Sequence, residues 1–137
     1  MNTVTVIGGR VKEREIAEKT VYWCIRKLMP RMRTLDITLQ LGKIDAYGYC
    51  LQETDREYTL SIQRDLSLFD LISTVCHEMI HVKQYARKEL RERQGKTMWK
   101  AKNHSNTSYE NAPWEKEAFK HETGLAFECF HQLNVTV

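Results

Sequence analysis

The sequence predicts an α+β fold, and three features of its hydropathy pattern carry that prediction. Three long stretches follow a period of 3.6 residues, and several short stretches alternate with period two. The extended stretches are grouped rather than strictly interleaved with the helical ones. The 137 residues point to one domain over 1–137 with a core of modest size. The expected architecture is an N-terminal helix, a small three- to four-stranded, mostly antiparallel sheet, a long second helix, a loop and a C-terminal helix.

Taken in order, TVTVI near the N-terminus is β-prone and is closed by Gly8 and Gly9. Residues 11–29 are helical in period, with Ile16, Ala17, Val21, Cys24, Ile25 and Leu28 on one stripe and Pro30 as the stop. LDITLQL (35–41) alternates, with Leu35, Ile37, Leu39 and Leu41 on one face, and so reads as a half-buried strand. IDAYGYCLQ (44–52) predicts a second strand weakened by Gly48, ETDRE (53–57) a turn, and YTLSIQ (58–63) a third strand. These three are expected to form an antiparallel meander that the N-terminal strand can join. Ser67, with Asp70 three residues on, predicts an N-cap opening a helix from about 68 to 92, with Gly95 as its stop. Residues 95–112 read as a loop. Pro113, favoured in a first helical turn, opens a last helix running to about Gln132.

Composition narrows the setting. Apolar residues make up 42% and charged residues 28% of the chain, as in ordinary soluble proteins. No run reaches the length a membrane helix needs, and the first ten residues lack the pattern of a secretory leader. A cytoplasmic protein with no membrane partner is expected. The four cysteines form no CxxC pair, which predicts reduced thiols rather than a cysteine zinc site. The net charge of +3 is concentrated over residues 83–102, where eight basic residues face only Glu89 and Glu92. That segment is either a solvated surface or a contact for nucleic acid.

The chemistry centres on HEMIH, residues 77–81, inside the second long helix. Residues i and i+4 lie on one helical face, so His77 and His81 can reach a single metal ion. Neutral imidazole is a natural zinc ligand. Glu78 is turned aside, where it reaches a zinc-bound water rather than the metal, and can act as general base in peptide hydrolysis. Composition alone predicts roughly 0.02 chance matches to this motif in the chain. Val75, Cys76, Met79, Ile80 and Val82 surround it, and polar groups among such neighbours need partners. One zinc per chain supplies them.

Such a site needs a third protein ligand and an open position. On PWEKEAFKHETGLAFECF (113–130), Ala118, Phe119, Leu125, Ala126 and Cys129 mark the inner face. Glu115 shares that face and is the first choice as ligand; Glu117, on the wetter side, and His104 remain alternatives. Glu122 also faces inward and suits the role of a carboxylate holding a ligating histidine.

HEMIH followed by the Glu115-Lys116-Glu117-Ala118 stretch resembles the gluzincin type of zinc metallopeptidase, in which a glutamate of the following helix is the third ligand. HEMIHVKQYARKEL, MWK (98–100) and APWEKEA (112–118) more closely resemble small SprT-like or minigluzincin-like proteins of phage and bacteria. The resemblance spans roughly residues 35–130. It implies a helix carrying the motif beneath a small sheet, with a cleft between them. It also implies that residues 58–63, through Tyr58, Leu60 and Ile62, form the cleft edge to which a peptide adds as an extra strand. SprT-type proteins proper use a third histidine, a role His104 would fill here.

Peptidases of this kind often place a Tyr, His or Arg beside the carbonyl oxygen that becomes charged. Tyr109 and His104 are the candidates in the loop, and Trp99 and Trp114 are expected to anchor it. The expected function is zinc-dependent hydrolysis of a peptide or protein substrate. The alternative is a nucleic-acid-associated zinc protein that contacts its partner through 83–102.

Overall fold

In a computed structural model, residues 1–134 are described. The main sheet contains β1 (Thr3–Gly8), β2 (Asp36–Gly42), β3 (Gly48–Gln52) and β4 (Glu57–Gln63) in the order β1-β2-β4-β3. The helix α1 (Val11–Leu28) connects β1 to β2, and α2 (Leu68–Ala86) follows β4. A second small sheet of β5 (Leu90–Arg93), β6 (Lys96–Trp99) and β7 (Lys102–Asn103) precedes α3 (Pro113–Gln132). The α+β class and the three helices agree with the sequence.

The pairing of the main sheet corrects the expected meander. β1 runs parallel to β2 and β2 parallel to β4, and only β3 is antiparallel, to β4. The sheet is mixed. β1, α1 and β2 make a parallel unit, because an intervening helix is long enough to return the chain to the same end. β2 and β4 each bury three alternate apolar side chains: Ile37, Leu39 and Leu41, and Tyr58, Leu60 and Ile62. Two such strands bury most when both are central beneath the helices. β3 has no fully buried residue and takes the edge.

Tyr58, Leu60 and Ile62 therefore do not line a sheet edge; they sit in an interior strand and point into the core. The edges of the sheet are β1 and β3, and the edge beside the HExxH segment of α2 belongs to β3. A second correction concerns the end of α2. The helix stops at Ala86, capped at Arg87, and Lys88 adopts φ +60°. Gln94 and Gly95, both at positive φ, turn the β5–β6 hairpin, so Gly95 is a hairpin residue rather than a helix stop. The expected loop over 95–112 contains β6, β7 and a short 3-10 turn at Tyr109–Asn111.

Both α1 and α2 cover one face of the main sheet, and α3 packs on the far side of α2. Ser67 Oγ accepts the amide of Asp70 at 3.1 Å, as the N-cap predicts. α2 is the central element: Leu71, Ile72, Val75, Met79 and Val82 join the hydrophobic core. Small buried residues of α3, Ala118, Ala126 and Cys129, let the two helices approach closely. All four cysteines are free thiols, three of them buried, with Cys24 Sγ 3.7 Å from Cys76 Sγ. Among the described residues, no helix is long and apolar enough to cross a membrane.

Candidate metal centre

The HExxH segment lies on the part of α2 that faces α3 and the β3 edge. His77, Glu78 and His81 are all buried, at 5–7% exposure. Pro113 starts α3 so that Glu115 stands in its first turn, opposite both histidines. Glu115 Oε1 is 3.1 Å from His77 Nε2, and its Oε2 is 3.1 Å from His81 Nε2. Three donor atoms from these residues fall within 4.8 Å of one another. Two ligands held at about 2.0–2.1 Å on a tetrahedral ion are themselves about 3.3 Å apart. The spacing therefore suits one shared metal ion.

The hydrogen bonds around His81 provide a second test of fit. Gln84 is fully buried. Its Nε2 donates to the carbonyl of Trp114 at 3.0 Å and to Glu117 Oε1 at 3.2 Å. Those two acceptors orient the amide, so its Oε1 faces His81 Nδ1 at 2.8 Å. Nδ1 must then carry the proton. Nε2 in turn faces the Glu115 carboxylate, an acceptor. A neutral imidazole has one N–H and cannot donate on both sides. The arrangement calls for a positive charge between Nε2 and Glu115, either a second proton or a metal cation. His77 also turns Nε2 to Glu115, while its Nδ1 lies 3.6 Å from Glu122 Oε1, too far for a direct hydrogen bond.

Without an ion the pKa shifts follow the same logic. Burial opposes ionisation of Glu115, yet hydrogen bonds from His77 and His81 bring its carboxyl down to about 2. Burial also works against the His81 cation, but contacts with Glu115 outweigh it and raise the pKa. Glu78 is pushed up, chiefly by burial, against the lowering influence of the two histidines. It is the more basic carboxylate of the site, as a proton acceptor requires.

The centre opens into a cavity of about 330 Å³ whose walls include Gly48, Tyr49 and Cys50 of β3, Glu78, Tyr85 and Tyr109. Gly48 has a specific purpose there. A Cβ at that position would meet Thr74 Cγ2 at 3.0 Å, Glu78 Oε2 at 3.1 Å and Ile62 Cδ1 at 3.1 Å. The missing side chain lets the edge strand lie against the HExxH face of α2.

Of the residues singled out in the sequence, the structure brings together His77, Glu78, His81 and Glu115. Tyr109, 63% exposed, lines the same cavity as Glu115. His104 stays outside the donor group, bonded to Thr107 Oγ1 at 3.1 Å and packed edge-on against Trp114. Glu117 also lies outside that group; it is half-buried and receives hydrogen bonds from Gln84 and Lys83. Trp99 is buried against Trp114, as expected of a loop anchor. Phe119, expected inward, is 53% exposed but covers the His77 ring at 4.7 Å between centroids. Two site residues escaped the sequence reading. Gln84 is three residues beyond His81 and so on its helical face, a usable signal. Gly48 was visible as a strand glycine, a common mark of close approach.

No family model, curated protein or solved structure matches the chain.

Proposed function

We propose that the protein is a zinc-dependent endopeptidase of gluzincin type. The observation that carries this reading is the buried His77–His81–Glu115 donor set beside Glu78, open to a cleft walled by the free edge of β3. Two imidazoles and one carboxylate suit zinc among the common divalent ions, with one position left for water or substrate.

When bound, zinc supplies Lewis acidity to the water and to the scissile carbonyl. The protein's own groups do the rest. Glu78 takes the proton of the attacking water at its carboxylate and delivers it to the leaving amine nitrogen. An extended peptide hydrogen-bonds to the unpaired edge of β3 and is thereby held alongside Glu78. The Tyr109 hydroxyl, at the mouth of the cleft, donates to the carbonyl oxygen as charge develops on it.

Metal analysis of protein prepared without chelator, with a mass-spectrometric screen of peptide cleavage, tests the reading. Glu78→Gln should keep its zinc and lose about 10²–10⁴-fold in turnover. Preparations free of zinc, or equal cleavage by wild type and Glu78→Gln, would sink it.

A second reading, a nucleic-acid-associated zinc protein, has one observation in its favour. Lys88, Arg91, Arg93, Lys96, Lys100 and Lys102 are exposed on and around the β5–β7 sheet. It predicts salt-dependent duplex binding that Glu78→Gln leaves intact.

A further inference from the structure

We infer that the cleft selects peptides in which an apolar side chain beside the scissile bond is accompanied, a few residues away on one side, by acidic ones. The inference rests on reading the cleft as a peptide site and concerns its two ends.

Three adjoining cavities form one groove along β3. The central one shares Ala46, Gly48, His77, Glu78 and Tyr109 with a cavity of about 210 Å³ at the start of the strand. It shares Tyr85 and Leu90 with another, of about 250 Å³, beyond the strand's end. Following β3 from Tyr47 to Gln52 thus passes an apolar recess, the metal centre and the β5 hairpin in turn.

The two ends differ in chemistry. Tyr47, Tyr109 and Phe119 surround the first recess and are 64%, 63% and 53% exposed. Exposed aromatic carbon of this extent beside a reactive centre is suited to covering an apolar side chain. The far end is lined by Lys88, Arg91 and Arg93. Arg91 pairs with Met98 and Arg93 with Lys96, so both arginines rise from one face of the hairpin while Leu90 and Trp99 anchor the other. None of the three cations is in an ion pair among the described residues. Two carboxylates share this end, Asp55 and Glu92. Glu92 accepts Thr97 Oγ1 at 3.0 Å from the hairpin's opposite face.

Asp55 and Glu92 interrupt the positive surface, so this end suits one or two spaced carboxylates better than the unbroken charge of a phosphodiester chain. An extended peptide advances about 3.3 Å per residue. With Gly48–Cys50 at the metal and Gln52 at the hairpin, acidic residues belong some two to four positions from the scissile bond.

The test uses the full chain as zinc-loaded Glu78→Gln, which binds without turnover, and fluorescein-labelled decapeptides read by anisotropy. One peptide carries a central Phe in a neutral background. Others add two Glu on one side, two Glu on the other side, or two Lys; a single-stranded DNA decamer completes the set. The peptide with Glu on one particular side should bind about tenfold tighter than the neutral one, the sum of two or three exposed charge pairs. Phe→Ala in that peptide should remove the gain. Arg91→Glu with Arg93→Glu should reverse the preference towards Lys, and Lys88→Glu should weaken it independently. The exposed Lys19→Glu on α1 controls for net charge. Equal binding of neutral and acidic peptides, a preference untouched by hairpin reversal, or tighter hairpin-dependent binding of the DNA would each overturn the inference. Hydrolysis by the wild-type chain is scored separately. Selective binding without hydrolysis strikes the peptidase reading alone, and hydrolysis without selectivity strikes only the groove.

Discussion

The two sides of α2 are both buried, yet they are held by different physics. Towards the sheet and α1, Leu71, Ile72, Val75, Met79 and Val82 lie in apolar surroundings. Towards α3, His77, Glu78, His81 and Gln84 are buried almost as deeply. The first side is stabilised by area removed from water, a non-directional contribution that grades with volume. The second depends on each polar atom having a partner in the right direction. No deeply buried side-chain nitrogen or oxygen lacks one among the described residues. An apolar face degrades gradually when it is altered, whereas a polar one fails in steps.

The largest expected effect is on the polar side. His81→Ala removes one of three donors and should reduce zinc from about one per chain towards none, as read by atomic emission. Full zinc retention would mean that the donor set is not the metal site. On the apolar side, Leu71→Ala should cost about 2–5 kcal/mol in denaturant unfolding while zinc stoichiometry and cleavage persist. A loss of zinc there would erase the distinction between the two sides. Gln84→Leu keeps the volume but breaks three hydrogen bonds. Zinc affinity, measured by chelator competition, should fall about 10–100-fold. Nitrogen NMR of the metal-loaded variant should show the His81 Nδ1–H signal lost or displaced, a change that repacking alone does not predict. The smallest effect is set for Gly48→Ala, where Glu78 must move by a few tenths of an ångström to accept the methyl group. Turnover should drop by about tenfold with zinc binding unchanged.

The same contrast explains how much could be read from the sequence. The α2 stripe, the alternation of β2 and β4 and the Ser67 cap were legible because each is set by local periodicity. So was the HExxH spacing, and Glu115 could be chosen from its place beside Ala118. Strand order was not legible. Nothing local to residues 44–63 says that β4 would displace β3 from the side of β2; that follows from which strands have most apolar surface to cover. The β5–β7 sheet escaped because only Leu90 and Trp99 are buried at its base, too few to show an alternation. Gln84 was missed because a polar residue on a helix reads as solvent-facing until the helix is known to be buried on all sides.

The placement of α3 has a consequence for the order of events in folding. The sheet, α1 and α2 are built from residues 3–86 and form a hydrophobic layer pair without it. α3 packs on α2 and, near its C-terminal end, on α1 through Trp23 Nε1 and Gln132 Oε1 at 2.7 Å. Its first turns are held largely through Gln84, Lys83 and the two histidines. An ion held by this donor set would close a chain segment of more than thirty residues, from His81 to Glu115, and its binding would be coupled to ordering that segment. Stripped of metal, the start of α3 becomes the least cooperative part of the molecule, the part where amide exchange should rise first. A donor set assembled in this way exists only after the last helix has docked, so a nascent chain carries His77 and His81 but not the third donor, Glu115.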